Sequence, residues 1–181
     1  MGVAAVCQQG RLIASQSFRA EDRHLIGGSV PYVTSADAPK ISERIAAIVE
    51  ALHWEGPLDF DFLEAEGGEL LLIELNPRFS GTTTLPYRIG LDMPRMLVDC
   101  AFGRTANPNT ANVSAGQRFR TGLEYELIWW GRDPIRRTFE LVANWLNPSV
   151  LYIPRWSDPA LLFGQVRSAA KAIVRFHRSG G

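Results

Sequence analysis

Asp59, Asp61, Glu74, Asn76 and Arg78 are the side chains whose types and spacing could do chemistry together. They lie on and just after two apolar-rich runs, residues 58–65 and 69–75, that flank Gly67-Gly68. Treating the glycine pair as a two-residue hairpin turn sets Glu66 against Glu69, Phe62 against Ile73, Asp61 against Glu74 and Phe60 against Leu75. One face then holds Leu58, Phe60, Phe62, Leu71, Ile73 and Leu75 and is expected to be buried. The other holds Asp59, Asp61, Leu63, Leu72, Glu74 and Asn76. A slip of one residue would turn the apolar set into water, so the pattern itself specifies the register.

Two carboxylates facing each other destabilise a sheet. A raised pKa, a basic side chain or a divalent cation would offset the repulsion. Asp61, Glu74 and the Asn76 amide are hard oxygen donors that suit Mg²⁺ or Mn²⁺, which bind through one or two carboxylates and phosphate oxygens. Leu63 and Leu72 beside them offer an apolar patch on which a nucleotide base can rest. Arg78 could neutralise a phosphate or a substrate carboxylate. On spacing alone a second reading stays open, in which the acids form a solvated outer face and Arg78 is a surface ion-pair partner.

The elements that must position these groups are legible as a series. Val3–Cys7 and Leu12–Phe18 read as strands joined through Gln8-Gln9-Gly10-Arg11. Residues 19–33 read as loop-rich, with Gly27-Gly28 and a short strand. A helix enters through Pro39, capped by Ser35 or Asp37, with Ile41, Ile45, Ile48, Val49 and Leu52 at helical spacing, and stops at Glu55-Gly56-Pro57. After the acidic hairpin, Asn76-Pro77 ends the second strand, and a helix spans about Pro94–Phe102. Residues 103–116 read as loop, 118–130 as strand. Asp133-Pro134 opens a helix to about Trp145, and Ser157-Asp158-Pro159 opens another to about Arg178.

Composition narrows the function classes. Hydrophobic residues make 46% of the 181-residue chain and charged residues 21%, the proportions of a globular protein with one sizeable core. The formal net charge is zero, which gives no electrostatic case for nucleic acid or a membrane surface. No apolar run reaches the roughly 18 residues of a membrane span, and no signal-peptide pattern opens the chain. Cys7 and Cys100 stand far apart in sequence, and His24, His53 and His177 are scattered, so no zinc spacing is present. Buried thiols in a cytoplasmic protein are the expectation. Lys40 and Lys171 are the two lysines.

The run Ile73-Glu74-Leu75-Asn76-Pro77-Arg78-Phe79-Ser80-Gly81 resembles the ATP-grasp superfamily, whose metal-binding strand ends in Glu-x-Asn-Pro-Arg. Gly56-Pro57-Leu58-Asp59-Phe60-Asp61-Phe62 resembles the preceding strand of that family, and Gly90-Leu91-Asp92-Met93-Pro94 the segment that follows the motif. Arg19 to Gly28 is similar to the Arg-containing, double-glycine stretch of branches akin to the large subunit of carbamoyl-phosphate synthetase. The resemblance covers about residues 1–104 and fades beyond. It implies an α+β fold, an antiparallel sheet flanked by helices, with residues 105–181 as a helical C-terminal extension containing one strand.

The resemblance also implies roles. Asp61, Glu74 and Asn76 would be metal ligands and contact the ATP site, Leu72 would line the adenine, and Arg78 would act on the transferring phosphoryl group or the acyl substrate. Such enzymes use ATP and Mg²⁺ to activate a carboxylate as an acyl phosphate, which an amine or thiol then displaces. The lid lysines, glycine-rich loop and adenine hinge of that family have no counterpart here. The chain is therefore expected to be the C-terminal portion of such a ligase, inactive without an N-terminal part on the same or a separate chain. A homodimer is compatible with this reading. A non-catalytic binding or regulatory module that retains the fold is the alternative.

Overall fold

The computed structural model describes residues 1–21, 32–104, 115–121, 134–147, 150–153, 159–160, 163–164, 166–168 and 170–171. Mixed α and β elements divide into two compact units, one of Met1–Ala20 and Thr34–Gly116, the other of Glu21–Val33 and Gln117–Gly181.

The first unit begins with a hairpin of β1 (Gly2–Gln8) and β2 (Arg11–Ala20). Gln9 and Gly10 both take positive φ, 50° and 74°, the left-handed conformation that a two-residue turn between twisted antiparallel strands requires. Strand β1 also pairs antiparallel with β4 (Gly56–Glu64), and β4 with β5 (Leu70–Asn76), which puts β5 at the edge of the order β5-β4-β1-β2. Short β3 (Tyr32–Ala36) is divided between the units, and within the first unit Gly116 N donates to Ser35 O at 2.8 Å.

Helix α1 (Pro39–Ala51) lies on one side of this sheet. Its Ile41, Ile45 and Val49 pack with Val3, Ala5, Cys7, Leu58, Phe60 and Phe62 in a continuous core, as the helical spacing of those apolar residues requires. Ala38, not Ser35 or Asp37, occupies the N-cap, and no side chain caps the helix. Ser35 is instead committed to β3, where it is buried. Leu52, read as part of the apolar face, is the C-cap residue and is exposed. After β5 the chain makes a 3₁₀ turn (Gly81–Thr83), short α2 (Thr84–Arg88) and α3 (Met93–Ala101), which Asp92 caps by accepting from Arg95 N at 2.9 Å.

In the second unit β6 (Arg118–Thr121) pairs parallel with β7 (Val150–Ile153), and α4 (Pro134–Leu146) falls between them in sequence. Parallel neighbours need a long crossover, and the helix is part of it. Strand β7 has no counterpart in the sequence reading, and it pairs parallel with β6, whereas β1, β2, β4 and β5 pair antiparallel as expected. Arg118 pairs with Glu21 at 3.2 Å, and the Arg120 guanidinium stacks 3.8 Å over the Tyr32 ring. Residues 159–160, 163–164, 166–168 and 170–171 are helical. The Gly27-Gly28 stretch, residues 122–130 of the expected strand, the cap signals at Asp133 and Ser157-Asp158, and the end of the last helix lie outside the described residues. No helix among the described residues is long and apolar enough to cross a membrane.

Candidate functional site

The acid-bearing side of the β4–β5 hairpin is assembled by strand register. Asp61 stands opposite Glu74, Asp59 opposite Asn76, and Phe60 opposite Leu75. Across β4, the pairing with β1 adds Gly2 beside Asp61 and Ala4 beside Asp59. Small residues therefore flank both aspartates on the β1 side. The facing carboxylates expected from the sequence are present.

Beyond Asp61 the register changes. A bulge leaves Ile73 without a cross-strand partner, so Phe62 meets Leu72, Leu63 meets Leu71 and Glu64 meets Leu70. The hairpin tip is correspondingly longer than the two-residue turn: Ala65 N donates to Glu69 O at 2.8 Å, and Gly67 and Gly68 take positive φ of 105° and 83° inside the loop. One additional loop residue at the tip and one bulged residue in β5 cancel, which restores the expected pairing where the acids sit. Two expectations change as a result. Ile73 is 64% exposed and Leu71 is exposed too, whereas Leu70 packs against the core. Leu71, rather than Leu72, stands opposite Leu63 and on the side of Asp61.

Electrostatics mark this face as strained. Asp59 is 8% exposed, and burial pushes its carboxyl up to about 6, with Asp61 and Glu74 adding repulsion while a Ser80 hydrogen bond and Arg78 pull the other way. Asp61 is likewise raised, first by burial and then by the Glu74 charge, against the N-terminal ammonium and Arg78. That ammonium donates to Phe62 O at 2.6 Å. Arg78 is exposed, donates to Phe79 O at 3.3 Å, and forms no ion pair among the described residues. The alternative that made Arg78 an ion-pair partner therefore lacks its contact.

The following turn is ordered by its own hydroxyls. Ser80 accepts from Thr82 N at 3.3 Å and shares a 2.6 Å hydrogen bond with Thr82 Oγ1, while the Thr83 hydroxyl is buried without a partner. Ser80, which the sequence reading did not single out, thus touches the most buried acid of the group. Its position six residues after Glu74 carried no signal by itself. Arg19, at the start of the stretch similar to the carbamoyl-phosphate synthetase branch, pairs with Glu64 at 3.5 Å, and Arg23 and His24 lie outside the described residues.

Chemically the set fits a hard divalent cation. Among the described residues no three His, Cys, Asp or Glu side chains are grouped so as to hold a metal ion by themselves. Two facing carboxylates and an amide form an open, all-oxygen donor set, which suits Mg²⁺ completed by phosphate oxygens. The repulsion between Asp59, Asp61 and Glu74, only partly offset by Arg78 and the N-terminal ammonium, is what such a cation would relieve.

Comparison with known proteins gives the following. No curated protein matches the chain. Among solved structures it is similar to a biotin carboxylase–β,γ-ATP complex from Campylobacter jejuni, at 20% identity and a TM-score of 0.46, covering 65% of this chain and 28% of that one. It is also similar to the biotin carboxylase domain of a single-chain bacterial carboxylase, at 18% identity and a TM-score of 0.43, covering 65% of this chain and 31% of the other. The chain thus spans less than a third of either. A family model described as "ATP-grasp in the biosynthetic pathway with Ter operon" matches residues 3–122, more than half of the sequence, and the chain belongs to this ATP-grasp family.

Proposed function

We propose that the face carrying Asp61 and Glu74 is the metal and phosphate half of an ATP-dependent ligase site. The observation that carries this reading is the pairing of those two carboxylates directly across β4 and β5, with Asp59 buried beside them and their repulsion only partly offset by Arg78 and the N-terminal ammonium. Asp61, Glu74 and Asn76 would hold Mg²⁺ or Mn²⁺. When bound, the cation neutralises charge on the nucleotide's phosphate oxygens. Leu63 and Leu71, exposed on the same side, offer the base an apolar floor. Arg78, near the acids but ion-paired with none of them, is placed to meet a phosphoryl oxygen or a substrate carboxylate.

The reaction class is carboxylate activation. A substrate carboxylate oxygen attacks the γ-phosphorus of ATP, the bond to the ADP oxygen breaks, and an acyl phosphate forms. An amine or thiol then adds to the acyl carbon, loses a proton and expels phosphate. The residues of this chain orient and neutralise rather than form covalent intermediates. A small carboxylate, an amine or thiol, and an N-terminal part that completes the phosphate grip, on the same or a separate chain, belong to the proposal. Free, buried Cys7 and Cys100 support a reducing, cytoplasmic setting.

Calorimetry with a non-hydrolysable ATP analogue tests the assignment. Binding should be weak, should need Mg²⁺, and should fall at least tenfold in Glu74→Gln and Asn76→Ala. Equal binding by the wild type and both variants would sink the assignment.

A further inference from the structure

Where the β1–β2 turn meets the C-terminal end of α1, the first unit holds a cleft of about 430 Å³, the size of a small-molecule site. Arg11 lines it from the start of β2, and Glu50 and His53 line it from the end of α1. Gln9, Leu12 and Ala46 complete the wall. Along β1, Gly2 pairs with Asp61, whereas the turn follows Gln8, roughly 20 Å away at about 3.3 Å per residue. The cleft is therefore separate from the acidic face.

The backbone around the cleft is held in costly conformations. Gln9 and His53, with φ of 50° and 47°, are the two non-glycine residues with positive φ among the described residues, and both line it. A two-residue hairpin turn ordinarily takes Asn, Asp or Gly there, and the position after a helix cap takes Gly or Asn. Gly10 N donates to Trp54 O at 3.0 Å, which ties the turn to the helix end. A Cβ at Gly10 would stand 3.3 Å from His53 Cα and 3.4 Å from His53 Nδ1, so the imidazole sits against the turn. Side chains kept against such a backbone cost mark a place where the side chain is used.

Charge decides what the cleft would take. Arg11, Glu50 and His53 share it, yet none of their side chains forms a hydrogen bond or ion pair among the described residues. Glu50 stands in the last turn of α1, which carries no basic residue, so its charge adds to the negative end of the helix dipole. That wall favours an ammonium group. Arg11, on the strand side, offers a fork of donors to a carboxylate. A plain anion would meet Glu50, and a plain cation would meet Arg11. No three acidic, His or Cys side chains gather here to hold a metal ion. We propose that the cleft binds a small zwitterion, a free α-amino acid whose carboxylate meets Arg11 and whose ammonium meets Glu50. Leu12 and Ala46 give its side chain an apolar surface, and the His53 ring supplies a further hydrogen-bonding group.

Titration calorimetry of the 181-residue chain with L-leucine tests the proposal. L-Leucine should bind saturably with a Kd below about 5 mM. Arg11→Gln and Glu50→Gln should each weaken binding at least tenfold while circular dichroism stays unchanged. N-acetyl-L-leucine, which lacks the ammonium, and L-leucinamide, which lacks the carboxylate, should each bind at least tenfold more weakly than L-leucine. His53→Gly should weaken binding yet melt no lower than the wild type, because glycine adopts that φ freely. A purely structural histidine would not give that split. No heat of binding at about 50 mM L-leucine would overturn the proposal. So would equal affinity for N-acetyl-L-leucine or L-leucinamide, the sign of a plain anion or cation site, or affinity unchanged in both charge variants.

Discussion

Two glycine-turned hairpins stand side by side in the first unit and use the same architecture for opposite ends. In β1–β2 the turn is tight and the strands are sunk in the core: Val3, Ala4, Ala5, Val6 and Cys7 are all buried, as are Ala14 opposite Val6 and Phe18 opposite Gly2. In β4–β5 only the first strand is buried. The second lies at the edge, with Leu71, Leu72, Ile73 and Glu74 exposed. The first hairpin has an irregularity at Val6/Cys7 but sets no like charges opposite each other and keeps its large apolar side chains out of water. The second sets carboxylates opposite each other and leaves apolar residues in water. Such departures are expected where a surface is kept for a ligand rather than for stability.

The largest effect that can break this contrast is a cavity. Phe18→Ala should cost about 3–5 kcal/mol in urea unfolding, because the side chain is nearly fully buried in β2. Ile73→Ala, a truncation on the edge strand, should change stability by no more than about 0.5 kcal/mol. Similar losses from both would mean that β5 is packed as tightly as the first hairpin.

A smaller effect sharpens the contrast. Asp59 has its folded-state pKa raised from 3.8 to about 6, so the folded chain holds a proton that the unfolded chain releases between those values. Stability should therefore fall as pH rises through that window and stay lower above it. Asp59→Asn should remove that slope and stabilise the metal-free chain by about 1–3 kcal/mol at pH 7. Unfolding midpoints from pH 4 to 7 would show it. A variant less stable than the wild type at pH 7 would mean that the Asp59 charge is already compensated.

The same contrast explains how much could be read from the residues alone. The pairing of Asp61 with Glu74 was legible because Leu58, Phe60 and Leu75 alternate with polar neighbours, and alternation specifies register. The tip was not, because Leu70, Leu71, Leu72 and Ile73 are apolar at every position and carry no period of two. Gly67-Gly68 suits a longer loop as well as a two-residue turn, so the bulge at Ile73 left no trace in the pattern. Elsewhere the run Val150-Leu151-Tyr152-Ile153, between Pro148 and Pro154, carries a strand signal, but it is only four residues long. Parallel pairing with β6 is a long-range outcome that short spacing does not encode. The Ser35 cap failed for a similar reason, since β3 claims that residue. Cys7 and Cys100, distant in sequence, approach closely enough that Cys100 adds to the burial that pushes the Cys7 thiol up to about 12.

The central claim is that the facing carboxylates of the edge hairpin exist to bind a divalent cation. Calorimetric titration of Mn²⁺ alone into the wild type, Asp61→Asn and Glu74→Gln tests it most directly. One saturable site in the wild type, weakened at least tenfold in each variant, is the predicted result. Equal Mn²⁺ affinity in all three proteins, or no binding to the wild type at millimolar Mn²⁺, would contradict the account.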